Sequence, residues 1–290
     1  MEEKALSELL KNGMNIAGSM VNTIVGAILT TLFLRKNTAN TEFEKIKAAK
    51  FADVVDELLD NGKMSYLEYW KCKNFLKIAQ IADDARSSDI SKISVDTSKY
   101  YFDWFIKYYD YASSVSNEEM QKLWAGVLSR EISQPGTTSL SLLHSLSIMD
   151  SDQARFFCNI SRFCLRDIDY NPNLLLFVST NRAAYKASLI TPERLKELER
   201  FGLIDCDFAS EYVFFNEKTF RISNKNIAVY GDSSNDNKIK AGNAIFTNDG
   251  IILYQIIDDI FKQYNPQNLD FIITRFKARN CRVIVNDREV

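Results

Sequence analysis

Residues 116–132 read SNEEMQKLWAGVLSREI and give the strongest helix signal in the chain. Apolar side chains recur there at spacings of three and four residues, which places them along one face of an α-helix. Ser116, followed three residues later by Glu119, matches a capping box at the helix start. The helix should end at Gln134-Pro135-Gly136, because proline and glycine interrupt helices. The predicted buried stripe consists of Met120, Leu123, Trp124, Val127, Leu128 and Ile132.

The segments on both sides of this helix also carry helical periodicity. Pro135 is the first proline of the chain, so no proline interrupts a helix before that position. Ser65 and Glu68 form a second capping box. Residues 100–112 are rich in aromatic side chains that share one helical face, which favours core packing over base stacking. We predict a helical domain over residues 37–168, with helices at 41–60, 65–84, 100–112, 116–133 and 139–148, and another beginning near Asp150.

An uncharged apolar segment, residues 14–34, lies near the start of the chain. It is long enough to span a bilayer core, since a spanning helix needs about 20 residues. One helical face is large and apolar, whereas the other is small or weakly polar and allows close helix packing. We predict a separate element over residues 1–36 that contacts a membrane or assembles an oligomer; a buried helix of a soluble bundle is the alternative. The residues expected to make these contacts are Gly18, Asn22 and Gly26 for helix packing, and Ile24, Ile28 and Phe33 for apolar contact.

Charge and cysteine content exclude several classes of protein. The 36 Lys and Arg residues face 38 Asp and Glu residues, a net charge of −2, which argues against a nucleic-acid coat protein or a polybasic membrane binder. The five cysteines are odd in number and form no C-x-x-C motif. A disulfide framework is therefore not expected, and a reducing cytosol fits better.

The sequence also lacks the common catalytic motifs. His144 is the only histidine, which excludes any site that needs two histidine ligands. We expect His144 to be partly buried and hydrogen-bonded rather than catalytic. No Walker A motif, G-x-G-x-x-G or G-x-S-x-G is present. We therefore predict no catalytic residue, cofactor or metal, and expect a protein that is not an enzyme.

The composition changes after about residue 170, where short apolar runs alternate with turns. Thr191-Pro192-Glu193 predicts a helix start with proline at the first helical position. Gly202-Leu203-Ile204 predicts the end of that helix and a following strand. The order of helix, Gly-Leu-Ile, strand pair and helix is that of a winged-helix-like module. The predicted fold is therefore mainly α, an N-terminal helical bundle followed by a small α+β, winged-helix-like C-terminal module over residues 169–290.

This C-terminal module suggests nucleic-acid binding as one role. The helix over residues 191–201 carries no net charge, whereas a helix that enters a DNA groove should be positive. Residues 262–290 hold six Lys or Arg against three Asp or Glu, which is a modest basic patch. The candidate nucleic-acid contacts are Arg275, Lys277 and Arg279; a structural or protein-interaction module is the alternative.

Several short motifs extend from the helical region into the C-terminal region: Asp103-Trp104-Phe105, residues 115–131, residues 135–140, residues 152–157, Gly202-Leu203-Ile204 and Leu253. Together they resemble an uncharacterised bacterial family, domain of unknown function 2806, over residues 40–265. Segments similar to its Met-Gln-x-Leu-Trp-Ala core also occur in families linked to abortive infection. The resemblance implies a bacterial protein, cytoplasmic or membrane-peripheral, of the kind carried in phage-defence islands. It supplies no catalytic residues.

The sequence favours two functions, and an enzyme without a recognised motif stays open as a third class. The first is a non-enzymatic bacterial phage-defence or abortive-infection factor, a cytoplasmic protein anchored to the inner membrane by residues 14–34. Its partners would be further copies of the chain, inner-membrane lipid and a phage or host protein that acts as the trigger. The alternative is a soluble regulatory protein that binds nucleic acid or a protein partner through residues 169–290.

Overall fold

A computed structural model describes most of the chain, and its described residues divide into two compact units between Ser147 and Ile148. The described ranges are 52–85, 99–167, 174–176, 190–222, 225–261, 266–286 and 288–289.

The apolar segment at 14–34 lies outside these ranges. None of the helices within them is long and apolar enough to cross a membrane. The residues predicted to make helix contacts in the 14–34 segment also lie outside the described ranges: Gly18, Asn22, Ile24, Gly26, Ile28 and Phe33.

The first unit is helical throughout its described part. Residues 52–60 are helical, and the helices that follow are α1 Tyr66–Asp84, α2 Lys99–Ala112, α3 Glu118–Ser133 and α4 Leu140–Ile148. The predicted stripe of α3 is buried, with Trp124 and Leu128 fully inaccessible to solvent. Trp124 packs edge-on against Tyr108 of α2, with ring centroids 5.5 Å apart. The aromatic face of α2 therefore belongs to the core, as its periodicity predicted.

Side-chain caps set the helix starts. The capping box of Ser65 and Glu68 at α1 is confirmed. Helix α3 differs from the prediction, because its N-cap is Asn117 rather than Ser116. The Asn117 backbone is extended, and its Oδ1 accepts a hydrogen bond from the Met120 amide at 3.1 Å. Asparagine and serine are nearly equal as caps, so sequence alone could not choose between two neighbours.

A buried carboxylate holds the turn between α3 and α4. Glu131 is only 1% exposed. Its two oxygens accept hydrogen bonds from the amides of Gly136 at 2.6 Å and Thr138 at 2.9 Å. The Thr138 carbonyl in turn accepts from the Trp104 indole N–H at 2.8 Å. The Pro-Gly-Thr-Thr turn is therefore fixed to α2 and α3 by buried polar contacts.

The second unit combines helices with an antiparallel sheet. Its helices are α5 Ser151–Ser161, α6 Pro192–Arg200, α7 Asn248–Phe261 and α8 Pro266–Lys277. Its strands are β1 Cys164–Asp167, β2 Leu174–Leu176, β3 Ile204–Cys206, β4 Val213–Phe215, β5 Glu217–Ile222, β6 Lys225–Tyr230, β7 Lys238–Lys240, β8 Ala244–Phe246, β9 Arg282–Val285 and β10 Arg288–Glu289. Within the described ranges, one sheet has the order β10-β9-β6-β5-β1-β2-β8-β3, and β4 pairs with β7.

The sheet is larger than the small module that we expected, although the chain is mainly α-helical with some β structure. The predicted helical domain extended to residue 168, whereas Cys164–Asp167 form strand β1, which pairs with β2 and β5. Strand β1 therefore belongs to the second unit. The two units divide between Ser147 and Ile148, earlier in the chain than the predicted boundary between residues 168 and 169. A short apolar run is compatible with helix or strand, and its sheet partners decide which one forms.

Helix α8 covers one face of the sheet. Its Ile272 and Phe276 are fully buried against strand residues such as Phe220 and Val229. The Phe220 and Phe276 rings stack 6.0 Å apart. Because side chains alternate along a strand, the residues between these buried positions stand on the opposite face of the sheet.

A close backbone contact joins the start of α7 to the turn after α6. The Thr247 amide donates to the Leu203 carbonyl at 3.1 Å, and the Thr247 hydroxyl donates to the Gly202 carbonyl at 2.5 Å. The same hydroxyl accepts from the Gly250 amide at 3.1 Å. A Cβ at Gly250 would lie 1.8 Å from the Leu203 carbonyl oxygen, so only glycine fits there.

Candidate nucleic-acid interface

The predicted contact residues Arg275, Lys277 and Arg279 lie in the last turn of α8 and just beyond it. Arg275 is partly buried, and Lys277 is exposed. The Arg279 guanidinium donates to Glu211 Oε1 at 2.6 Å and to the Lys240 carbonyl at 2.6 Å. Arg279 therefore links the segments that enter β4 and end β7, and this engagement weakens the prediction that it contacts nucleic acid.

Helix α6 also uses its basic side chains within the second unit. Arg194 donates to the Asp152 carboxylate at 3.0 Å and lies over the Phe156 ring, 4.2 Å from its centroid. Lys196 pairs with Glu199 at 2.5 Å. These contacts engage Arg194 and Lys196, which reduces the positive charge that a groove-reading helix would present, whereas Arg200 is exposed.

Among the described residues of the second unit, exposed arginines lie on the sheet. On the face opposite α8, strands β1, β5, β6 and β9 present side chains that we call the arginine face. Their cross-strand registers place them together. The arginine face consists of Arg166, Glu217, Thr219, Arg221, Asn226, Tyr230 and Arg282, together with half-buried Ala228 and Ile284.

Two arginines stand directly opposite each other on this face. Arg166 of β1 pairs in register with Arg221 of β5, and both are exposed. Directly opposed residues have Cβ atoms about 5 Å apart, and like charges at such positions are unfavourable. Two guanidinium groups at facing positions concentrate positive charge and N–H donors, which a phosphate group can bind. The Arg166–Arg221 pair therefore marks a candidate site for an anion.

Aromatic rings support two of the arginines. The Arg282 guanidinium lies over the Tyr230 ring, 5.3 Å from its centroid, and that of Arg166 lies 6.0 Å from the Tyr254 ring of α7. Stacking on an aromatic face orients a guanidinium while its N–H edges can still bind phosphate.

Both tyrosines are neutral at physiological pH. A hydrogen bond to Glu217 raises the pKa of Tyr230. Burial, helped by the charge of Asp258, raises the pKa of Tyr254 against the opposing effect of Arg166. Among the described members of the face, three arginines outnumber the single carboxylate of Glu217. The surface is therefore positive, with polar Thr219 and Asn226 between the charges.

The described residues hold little that suggests catalysis. No group of three metal-ligating side chains occurs within the described ranges. Burial raises the pKa of the Cys72, Cys164 and Cys281 thiols and raises that of Cys206 to about 12, so these four thiols are poor nucleophiles at neutral pH.

His144 is exposed, contrary to the expectation that it would be partly buried. The leucines around it form the buried face of α4, and His144 falls outside that stripe. Its ring lies 6.4 Å from that of Tyr111.

The residues of the arginine face were not among the sequence-based candidates. Arg221 and Arg282 alternate with buried apolar residues, which is the pattern of a half-buried strand. That pattern could have indicated that each arginine is exposed. It could not have shown that Arg166 and Arg221 meet, because strand register across a long separation is set by tertiary structure.

Comparison with known proteins identifies a family. No curated protein and no solved structure shows significant similarity to this chain. The family described as "Protein of unknown function (DUF2806)" matches residues 62–219, within the span over which the motifs suggested a resemblance. This match includes helices α1 to α6 and the strands from β1 to the start of β5, which contain Glu131 and Arg166. The chain therefore belongs to the DUF2806 family.

Proposed function

We propose that this protein is a non-enzymatic regulatory protein whose second unit binds nucleic acid through the arginine face. The observation that carries the proposal is the direct cross-strand opposition of Arg166 and Arg221 on an exposed sheet face. Phosphate groups would neutralise both guanidinium groups, and release of counterions would drive binding. Arg282 extends the positive surface across β6 to β9.

We also propose that part of the second unit is a winged-helix-like module. Helix α6 ends at Arg200, just before Gly202, β3 pairs with β8, and α7 follows β8 directly, which supports this proposal. A long insertion, residues 207–243, separates the two strands and contains β4 to β7. Because Arg194 and Lys196 of α6 are engaged within the unit, we assign nucleic-acid contact to the sheet face and not to this helix.

The arginine face is tested by removing its charge. A variant that combines Arg166→Gln, Arg221→Gln and Arg282→Gln is expected to bind a fluorescent oligonucleotide about 10- to 100-fold more weakly at moderate salt. The slope of log affinity against log salt concentration should become shallower by about 2. A variant that makes fewer phosphate contacts releases fewer counterions when it binds. Fluorescence anisotropy over a salt series measures both quantities.

A matched control removes the same charge elsewhere. Lys63, Arg155 and Arg200 are exposed, and their combined change to glutamine should leave the affinity within about threefold. Lys277→Gln, measured alongside, tests the original sequence-based candidate. Equal affinity and salt slope for the two triple variants would contradict the proposal. An absence of oligonucleotide binding by the unaltered protein at low salt would favour a protein partner instead.

A second candidate function is favoured by the apolar pattern of residues 14–34. We propose that this segment assembles in or on the inner membrane and that the protein acts as a phage-defence or abortive-infection factor. The family resemblance and the segregation of small and large residues onto two helical faces support it.

Liposome flotation tests this second candidate. The full-length protein is expected to float with the vesicles, whereas a variant lacking residues 1–35 should stay at the bottom of the gradient, because the deletion removes the uncharged segment. The same deletion should abolish protection of infected cells. If both proteins stay at the bottom as well-behaved oligomers, or if the deletion variant still protects, the membrane proposal is wrong.

A further inference from the structure

Strand β4 has one edge that faces away from its partner β7. Backbone hydrogen bonds join β4 to residues that flank β7, with the Tyr212 carbonyl accepting at 2.8 Å and the Asn216 amide donating at 2.9 Å. In an antiparallel pair, every second residue bonds to the partner strand, and the residues between direct their amides and carbonyls the other way. The backbone groups of Val213 and Phe215 therefore point away from β7.

This outer edge of β4 is unpaired within the described part of the chain. Neither Val213 nor Phe215 bonds through its outward backbone groups to another described residue. Their side chains are also exposed, by 39% for Val213 and 57% for Phe215, whereas Phe214 between them packs against Phe220 with ring centroids 5.5 Å apart. An unpaired edge that carries exposed apolar side chains is a template for a further strand.

Neighbouring strand edges are covered by specific contacts. On the far side of β7, an isolated backbone bridge covers Lys238, and the Lys240 carbonyl accepts from Arg279 at 2.6 Å. At the β3 end of the larger sheet, the Cys206 amide donates to Glu199 of α6 at 3.2 Å. Proteins commonly cover edge strands in this way to prevent unwanted pairing. The edge of β4 lacks such a cover among the described residues, which favours a role in pairing.

The sequence of β4 is complementary to a second copy of itself. When two β4 strands pair antiparallel with Phe214 opposite Phe214, the outward groups of Val213 meet those of Phe215 in the other copy. Each exposed valine then lies beside an exposed phenylalanine, and cross-strand pairs of an aromatic and a β-branched residue are favourable. The lysines of β7 beside these positions pair with Asp236 and Glu211, so the contact covers no unpaired lysine.

We infer that β4 is a self-association site, at which two copies of the chain pair antiparallel through their β4 edges. The strands β7 and β4 of both copies then form one continuous four-stranded sheet across a two-fold axis. Asn216 has φ +66° and ends the strand, so the paired segment is short. A contact of this length buries less surface than a stable dimer needs, and we therefore expect a weak dimer that forms as the protein concentration rises.

A proline substitution tests the edge without removing a bond to β7. Val213→Pro removes an amide hydrogen that points away from β7, and proline is tolerated at such edge positions. Sedimentation velocity over a concentration series should show dimerisation of the full-length protein, weakened about tenfold or more in Val213→Pro because each copy loses one intermolecular hydrogen bond. Phe215→Lys should weaken it as well, since it places two charges at the contact. Leu67→Lys, at a side chain that is 60% exposed on α1, is the matched control and should leave dimerisation unchanged.

Disulfide trapping tests the register of the two strands. A Val213→Cys chain mixed with a Phe215→Cys chain should form a linked dimer under mild copper-phenanthroline oxidation, because directly opposed residues have Cα atoms about 5.5 Å apart, within the reach of a disulfide. Either variant alone should link much less, since position 213 does not lie opposite itself. The unaltered protein, with its five cysteines, gives the background.

The outcomes separate this inference from the proposed functions. An unaltered protein that sediments as a monomer throughout the series overturns it, and so does a dimer that Val213→Pro and Phe215→Lys leave unchanged. Equal linking of the mixed and the single cysteine variants shows that the register is wrong. If Val213→Pro fails to fold, Phe215→Lys and disulfide trapping decide. Assembly that is lost only on deletion of residues 1–35 belongs to the apolar segment and contradicts the β4 site, and none of these results depends on oligonucleotide binding.

Discussion

The Glu131→Ala variant is expected to lower the free energy of unfolding of the first unit by about 3–5 kcal/mol. The substitution removes the acceptor for the Gly136 and Thr138 amides, and Thr138 is only 3% exposed. Hydrogen bonds to a charged group contribute about 1.5–3 kcal/mol each, and water cannot easily replace a partner at a buried amide. Once this turn is no longer held in place, the hydrogen bond from the Trp104 indole N–H to the Thr138 carbonyl would also be lost.

Urea denaturation followed by tryptophan fluorescence measures this effect. The three tryptophans, Trp70, Trp104 and Trp124, all lie in the first unit, so the signal reports on that unit. Glu131→Gln keeps one acceptor oxygen and should lose about half as much stability as Glu131→Ala.

Glu118→Ala is the control for a glutamate on the same helix. Its exposed ion pair with Lys77 should be worth less than about 1 kcal/mol. If Glu131→Ala were as stable as Glu118→Ala, the buried carboxylate would not hold the turn.

Gly250→Ala is expected to destabilise the second unit by about 3–4 kcal/mol. Without the contact to Leu203, the change would be favourable, because alanine forms helix better than glycine by about 1 kcal/mol. The new methyl group would instead lie 1.8 Å from the Leu203 carbonyl oxygen and 2.9 Å from its carbon. Both atoms belong to the backbone, so α7 must move away and lose the bonds of Thr247 to Gly202 and Leu203.

Differential scanning calorimetry and hydrogen exchange measure this loss. Exchange should rise most in residues 244–257, which carry β8 and the first turns of α7. Gly62→Ala is the control, since Gly62 has φ +65° and no atom within 4 Å of an added Cβ, so it tests backbone strain alone. That strain should cost about 1–2 kcal/mol. A Gly250→Ala protein as stable as the unaltered one would show that α7 does not approach Leu203 so closely.

Local sequence predicted the first unit well. The capping box at Ser65 and the apolar stripe of α3 depend on residues three or four positions apart, and the structure confirms both. The exception is the start of α3, where the N-cap is Asn117 and not the predicted Ser116. This is a shift of one residue between two equally good cap residues. The helix start at Pro192 and the strand that follows Gly202 were predicted in the same way, from neighbouring residues.

The candidate site was much less predictable. Arg279 was chosen for its charge, yet its geometry makes it a link between Glu211 and the Lys240 carbonyl. Charge counts along a segment treat all arginines alike. They cannot separate one that pairs with a carboxylate from one that stands opposite another arginine.

Helix periods, caps and turns followed from the order of residues, because the interactions that form them join positions a few residues apart. The arginine face depends on contacts that join distant parts of the chain. Arg166 and Arg221 meet only because β1 pairs with β5 in one register, and a shift of β1 by one residue would turn Arg166 toward the core. That register is selected by burying Leu165 and Phe220 beneath α8. Hydrophobic burial over long sequence separations therefore decided where the charges lie, and local sequence decided only that they would be exposed.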